Sequence, residues 1–583
     1  MNKDPKDQKI DQKRRNLLGT SLAGAAMLGS ASVGAAERKS RELPWDMQTD
    51  IVCVGSGAAA CAAAITAVDL GSKVILLEKA PVFGGTTRRS GGVAWIPNNF
   101  SLQTENVVDA EEDCMRYMCR YAYPAQYRAD SPMFGLGAAE FEMLKAFYRN
   151  AAPAVARLNE IGATHFRRMD VPGGFGPPSD YAADLPENKV PKGRAVRPDA
   201  KVNGGSGAGL VDGMIEWLGK RGARLLTEHR VVSMVQRDGR VIGVEAEHGG
   251  KRLRILARKG VIFGTGGFAH NPELISRYQD PIYGSCANAG ASGDFIAIAA
   301  AVGARMGNLG TAWRNQAVLE EALENRVAGQ LVHYPPGDAM ILVNKYGRRV
   351  VNEKRNYNDR GRIHAAWDPA KAEYPNQFLF MLFDQRAIDV FGGTYPLPQD
   401  VRGSPFLISG ASIAELASNI RARLEKLRGK IGDIRLAADF TGQVEESIRR
   451  FNGYARTGLD AEFQRGAPLE IDWMRYFSRP RPGKEAMIGA MPNLTMHPFA
   501  AQGPYYALII APAVLDTSGG PQINAMAQLV GSDGKPIPGL YGAGNCIASP
   551  SHTAYFGAGG TIGPALTFGY IAAHAAHRDR TVA

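Results

Sequence analysis

A short apolar run at residues 51–54 stops at Gly55-Ser56-Gly57 and gives way to an alanine-rich stretch whose third small position is Ala60. Strand, glycine turn and helix in that order form G-x-G-x-x-A. The first glycine makes the tight turn, the second lets the backbone approach a pyrophosphate, and Ala60 permits close helix packing, so a diphosphate rests on free helix N–H groups. A second apolar run, residues 73–77, delivers Glu78 about 20 residues on, where a carboxylate can hold a ribose hydroxyl pair. Small residues also occur at tight turns that bind nothing. Here strand, turn, helix, strand and acid fall in register, which makes dinucleotide binding the stronger reading. Gly84-Gly85-Thr86-Thr87 and Ser90-Gly91-Gly92 follow at once, a flexible hydroxyl-bearing loop that a nicotinamide site does not need.

Glycine turns recur after apolar runs at Gly264-Thr265-Gly266-Gly267 and Gly544-Asn545, at Ser292-Gly293-Asp294, and at Gly559-Gly560-Thr561-Ile562 before an alanine-rich final helix. Each brings backbone against the cofactor, and a helix start there suits the electron-rich edge of a reduced ring. Together with residues 50–92, this resembles the flavin-binding pattern of the fumarate reductase/succinate dehydrogenase flavoprotein superfamily. The resemblance implies FAD, and the lack of histidine in residues 50–92 implies that it is held noncovalently. The expected fold class is α/β, a Rossmann-like FAD-binding domain with an inserted α+β catalytic or cap domain. The expected segments are 45–289 and 496–583 for the FAD-binding domain and 290–495 for the insertion. Asp238-Gly239 joins two alternating runs as a hairpin. Ser412 and Glu415 form a capping box ahead of the stripe Ile413, Leu416, Ile420, Leu424 and Leu427.

With 583 residues, 45% hydrophobic and 21% charged, the chain can build more than one core. Its net charge of +11 comes from bases scattered among acids, with no basic block and no nucleic-acid motif, so a basic surface explains it. Residues 1–36 read as an address: Lys13-Arg14-Arg15-Asn16-Leu17-Leu18 precedes a mildly apolar stretch and a small-residue site at Gly34-Ala35-Ala36. This resembles a twin-arginine export signal, with Leu17 and Gly19 departing from the usual residues. It implies a periplasmic protein, or a cytoplasmic one if the segment is only a basic tail. The six cysteines show no zinc or haem spacing and read as buried apolar residues, so no metal is expected. Beyond the signal, no apolar run reaches the roughly 18 residues of a membrane span, and at most peripheral association is expected.

The C-terminal stretch YFGAGGTIGPALTFGY, from Tyr555 to Tyr570, resembles that of 3-ketosteroid Δ1-dehydrogenases. Gly84-Gly85-Thr86 through Pro97, Leu515-Asp516-Thr517-Ser518-Gly519-Gly520, and Arg349 through Asn352-Glu353 to Tyr357 agree with it, with Asn356 standing where that family usually has Pro. The resemblance implies that Tyr555 O–H and the Gly559 N–H bind a ring ketone, Tyr357 takes the neighbouring proton, Tyr181 assists, and flavin N5 takes the hydride. The substrate class is then a hydrophobic ketone, a steroid, with a quinone or cytochrome as outside electron acceptor. One rival is a fumarate-like periplasmic reductase, disfavoured by the absence of arginine from residues 542–573. A flavin carrier with no substrate of its own is the other.

Overall fold

The computed structural model describes residues 44–582; the expected export signal lies outside them. Residues from Trp45 onward form one unit around an eight-stranded sheet. Its main path runs Gln528–Val530, Pro536–Gly542, Lys251–Phe263, Met47–Val54, Val74–Leu77 and Arg224–Leu226. The strand before the glycine turn lies between two parallel neighbours, with Ile51 opposite Val74 and Val54 opposite Phe263. Ile51, Val52 and Cys53 are completely buried, as expected for a strand covered on both faces. The hairpin Arg230–Arg237 and Arg240–His248 turns at Asp238-Gly239 and joins this sheet through Lys251–Phe263.

Helix Ala58–Asp69 is nearly all alanine along its buried face, which lets the last helix, Ile562–Arg578, lie close against it. A Cβ on Gly569 would sit 2.3 Å from the Ala59 carbonyl oxygen, so glycine is the residue that fits that crossing. Both helix starts therefore point to the same place, the carboxyl ends of the central strands, where ligands of such sheets bind.

A second, six-stranded sheet is built around Tyr505–Thr517, which pairs with Gly284–Ser285, Ala312–Val318, Leu379–Asp384 and Ile408–Gly410; Met340–Val343 extends it beyond Leu379–Asp384. Helix Ile413–Ile431 covers one face. Ser412 Oγ accepts from the Glu415 N–H at 3.2 Å and the Glu415 carboxylate accepts from the Ala411 N–H at 2.9 Å, so the expected cap forms. The expected stripe from Ile413 to Leu427 is buried against Leu382 and Ile509. The expected boundaries at 290 and 496 differ from this topology. Gly284–Ser285 already belongs to the second sheet, and the strand placed in the returning FAD-binding segment is its centre. The reason is physical: a 13-residue strand buried almost throughout shows no alternation, so the pattern does not say which sheet receives it.

The far end of that strand is fastened to the first sheet. Asp516 Oδ2 accepts from the Gly267 N–H at 2.9 Å and Thr517 Oγ1 from the Phe268 N–H at 2.7 Å. Among the described residues no helix is long and apolar enough to cross a membrane, and no cluster of histidine, cysteine and acids is set to hold a metal. All six cysteines are free and five are buried.

Candidate active site

A cleft runs along the carboxyl ends of the first sheet. Gly55, Gly57, Glu78, Gly85, Thr86, Ser90, Gly266, Gly544, Asn545, Thr561 and Ile562 line it, all of them expected cofactor residues. Gly55 has φ +96°, and a Cβ there would lie 2.6 Å from the Gly264 oxygen. Ala60 sits under the turn, its backbone nitrogen 2.7 Å from where a Gly264 Cβ would be. Gly84, at φ +116°, anchors the second loop by donating its N–H to Ser56 Oγ at 2.8 Å. Ser56 in turn donates to Glu78 Oε2 at 2.5 Å, and the Ala80 N–H donates to Oε1 at 2.9 Å. Gly267 lies just outside the lining on Asp516, and Gly560 packs its backbone against the Tyr555 ring.

Asp294 stands elsewhere. Its carboxylate pairs with Lys79 at 3.0 Å and Arg230 at 3.2 Å in a side pocket, and reaches the cleft only through Lys79. The cleft suits a flavin dinucleotide on its own chemistry. Neither helix start has a side-chain cap or an acid in its first turn, and no histidine or cysteine lines the cleft. Its N–H groups and positive helix ends suit a diphosphate and an electron-rich ring edge, and the Glu78 carboxylate would suit ribose hydroxyls.

A second cavity of about 510 Å³ shares Thr86, Ser90, Asp516, Asn545, Thr561 and Ile562 with the cleft. Gly91 and Gly92 line it, as do Tyr181, Tyr357, Tyr555 and Gly559. Three tyrosines from distant parts of the chain therefore meet. The ring centres are 5.4 Å apart for Tyr181 and Tyr555, 5.4 Å for Tyr181 and Tyr357, and 5.3 Å for Tyr357 and Tyr555. The Tyr357 hydroxyl influences the ionisation of the other two, and Thr561 that of Tyr555. Burial holds Tyr181 and Tyr357 well above the ordinary phenol value. Burial pushes Tyr555 up to about 12, with the nearby Tyr357 and Thr561 hydroxyls acting the other way.

Local structure explains these positions. Tyr357 opens the short helix Tyr357–Gly361, whose N-cap is Asn356, with its side chain accepting from the Asp359 N–H at 3.0 Å. Asn356 Nδ2 also donates to the Tyr181 carbonyl at 3.2 Å, so the departure from Pro links the two tyrosines' backbones. The Tyr555 loop is fixed at Phe556, whose carbonyl accepts from the Tyr181 N–H at 2.9 Å and the Tyr117 hydroxyl at 2.8 Å. Gly559 has φ +87°, and a Cβ on it would come within 2.5 Å of Ala94. Its carbonyl accepts from the Trp95 and Gly563 N–H groups, while its own N–H makes no hydrogen bond among the described residues. A backbone donor is therefore held bare at the cavity wall beside Tyr555.

The FAD binding domain family matches residues 50–562, nearly the whole described chain. The chain belongs to this family of FAD flavoproteins. The 3-oxosteroid 1-dehydrogenase of Mycolicibacterium smegmatis is 30% identical over 591 residues, covering 90% of this chain and 96% of that one. The 4-oxocyclohexanecarboxylate 2-dehydrogenase of Sinomonas cyclohexanicum is 29% identical over 574 residues, covering 90% and 92%. The crystal structure of the 3-ketosteroid Δ1-dehydrogenase from Sterolibacterium denitrificans, in complex with 1,4-androstadiene-3,17-dione, superimposes with a TM-score of 0.72 at 24% identity, over 91% of this chain and 99% of that one. At that identity it shows a common fold.

The flavoprotein has site residues that the sequence pattern did not single out. Asp516 lies where cleft and cavity meet, and burial pushes its carboxyl up to about 6 against the Gly267 N–H and Asn545. Trp313 stands edge-on to Tyr555 at 5.4 Å and donates from Nε1 to Asn545 Oδ1 at 3.0 Å. His333 faces the Tyr357 edge at 5.0 Å; burial lowers it to about 4, so it is a neutral ring. Behind Tyr181, Arg194 is buried between Asp109 at 2.7 Å and Asp180 at 2.6 Å, and Asp180 also accepts from Trp95 Nε1 at 2.8 Å. Sequence held a cue for Asp516, in the Leu515–Gly520 stretch, and for Arg194, which follows Gly193 after Tyr181.

Proposed function

We propose that this FAD flavoprotein is a dehydrogenase that introduces a carbon–carbon double bond beside a ring ketone, the 1,2-desaturation of a 3-ketosteroid. The observation that carries the reading is the meeting of Tyr181, Tyr357, Tyr555 and the bare Gly559 N–H in one cavity bordering the flavin cleft. Tyr555 O–H and the Gly559 N–H donate to the ketone oxygen and stabilise the enolate-like charge that develops there, as an oxyanion hole does. The adjacent C–H becomes acidic. Tyr357 takes that proton in its phenolate form, having first given up its own, and Tyr181 beside it can donate to that phenolate before the transfer. A phenol held above its usual value is seldom ionised, so proton removal depends on the carbonyl being polarised as well. When bound, the flavin supplies the acceptor for the hydride that leaves the next carbon. The C–H electrons left at the deprotonated carbon then become the new double bond. Apolar walls from Leu331, Trp473 and Phe477 suit a fused ring body and exclude water from the tyrosines. A fumarate-type reaction fits less well, because the only arginine among the described lining residues is Arg89 and a dicarboxylate needs cations at both ends.

Anaerobic mixing of the holoenzyme with a 3-oxo-4-ene steroid should bleach the oxidised flavin bands. A flavin that stays oxidised with every cyclic ketone defeats the reading. We also infer that residues 1–36 send the folded, flavin-loaded protein to the periplasm, where a quinone or cytochrome takes its electrons. Cell fractionation of the wild type and of an Arg14→Lys/Arg15→Lys double variant tests this, with cytoplasmic retention of the variant alone as the expected outcome.

A further inference from the structure

The tyrosine cavity has a buried end and an open end. Tyr181, Tyr357 and Tyr555 are buried, while the lining residues Arg89, Gly329 and Gln330 are exposed and mark the mouth. A substrate whose ketone lies on Tyr555 and Gly559 therefore presents its far end to Arg89. That side chain is fixed: Nε donates to the Cys286 carbonyl at 3.0 Å and Nη2 to the Ala328 carbonyl at 2.9 Å. Both acceptors are neutral. No carboxylate among the described residues is paired with Arg89, and its Nη1 makes no hydrogen bond among them, whereas the neighbouring Arg88 is paired with Asp212 at 2.5 Å. Two backbone bonds set the plane of the guanidinium without offsetting its charge. The mouth thus holds a pre-positioned planar cation with an unused edge, the arrangement that favours a carboxylate over any neutral group.

We propose that the substrate is a ring ketone carrying a carboxylate at the end remote from the ketone, and that Arg89 receives this carboxylate. The proposal rests on the ring-ketone dehydrogenase reading and narrows it. Two kinds of molecule share the chemistry, a single-ring keto acid and a 3-oxosteroid with an acidic side chain.

The test compares kcat/KM for anaerobic flavin reduction by a 3-oxo-4-ene steroid acid and by its methyl ester, with 4-oxocyclohexanecarboxylate and its methyl ester as the second pair. The wild type should favour acid over ester on the order of 10-fold in one pair, the range of a charge-assisted hydrogen bond, and the favoured pair identifies the source. Arg89→Gln keeps donors for the two carbonyls but loses the charge, and should bring the acid-to-ester ratio close to one, acting mainly through KM. Arg89→Lys should keep part of the preference, and added salt should weaken it in the wild type. Equal handling of acid and ester by the wild type overturns the proposal while leaving the dehydrogenase intact. So does an Arg89→Gln variant that slows acid and ester alike, which would make Arg89 only a strap between residues 89, 286 and 328. If neither ester nor acid bleaches the flavin, the dehydrogenase reading fails and this one with it.

Discussion

Tyr555 and Tyr357 lie edge to face, ring centres 5.3 Å apart, yet have separable tasks. Tyr555→Phe removes one of two donors to the ketone oxygen, and flavin reduction should slow on the order of 10²–10³-fold, the range for losing an oxyanion donor. Exchange of the ketone's neighbouring hydrogens with deuterated water should slow with it. Tyr357→Phe removes the proton acceptor and leaves polarisation in place, so reduction should slow on the order of 10²–10⁴-fold while the substrate still perturbs the flavin spectrum on binding. Stopped-flow reduction and difference spectra separate the two. Loss of spectral binding in Tyr357→Phe would count against its role as base.

Some parts of this arrangement were readable before any coordinates. The turn at Gly55, the loop at Gly84, the hairpin at Asp238-Gly239 and the cap at Ser412 are set by residues close in sequence, and local sterics and hydrogen bonds decide them. Arg89 and His333 were not readable as cavity residues, nor Trp313 as the support of Tyr555, because their surroundings come from chain far away in sequence. The centre of the second sheet was misplaced for the related reason that a uniformly apolar strand carries no record of its neighbours. Two elements give direct tests. Ser412→Ala should destabilise the chain by about 1 kcal/mol, the usual value of an N-cap, seen as a lower urea midpoint with an unchanged slope. His364 lies in the short turn Arg362–Ala365, with Nδ1 on the Asn376 carbonyl at 2.8 Å and Nε2 against Gln316 Nε2 at 2.9 Å. Burial lowers it to about 4, below the ordinary value near 6.5. The unfolded chain therefore takes up this proton first, and stability is lost as pH falls from about 6.5 towards 4. Between pH 7.5 and 5 the wild type should lose on the order of 1–2 kcal/mol more than His364→Gln. Equal losses in the two proteins would show that His364 titrates as it does when unfolded.

Across the molecule, the buried triad of Arg194 with Asp109 and Asp180 joins the Tyr181 loop to the Trp95 strand. Arg194→Met leaves two carboxylates without their cation, and the loss should reach about 3–5 kcal/mol, as for other broken buried pairs. Stripping the flavin should lower the melting temperature and make it depend on added FAD; saturation at one hundred times Kd restores about 2.7 kcal/mol. A melting temperature indifferent to FAD would contradict a cleft shared by both helix starts. The strand Tyr505–Thr517 bears on synthesis as well as on shape. As the peptide emerges, the second sheet lacks its middle member until about residue 517, and the first lacks Pro536–Gly542 for longer still. Neither half can close early, so most of the chain waits with open sheet edges on the ribosome, exposed to aggregation. The cleft is completed only by the start of the helix Ile562–Arg578, so cofactor capture follows release. A protein built this way leaves the ribosome unfinished and should need holding until FAD arrives.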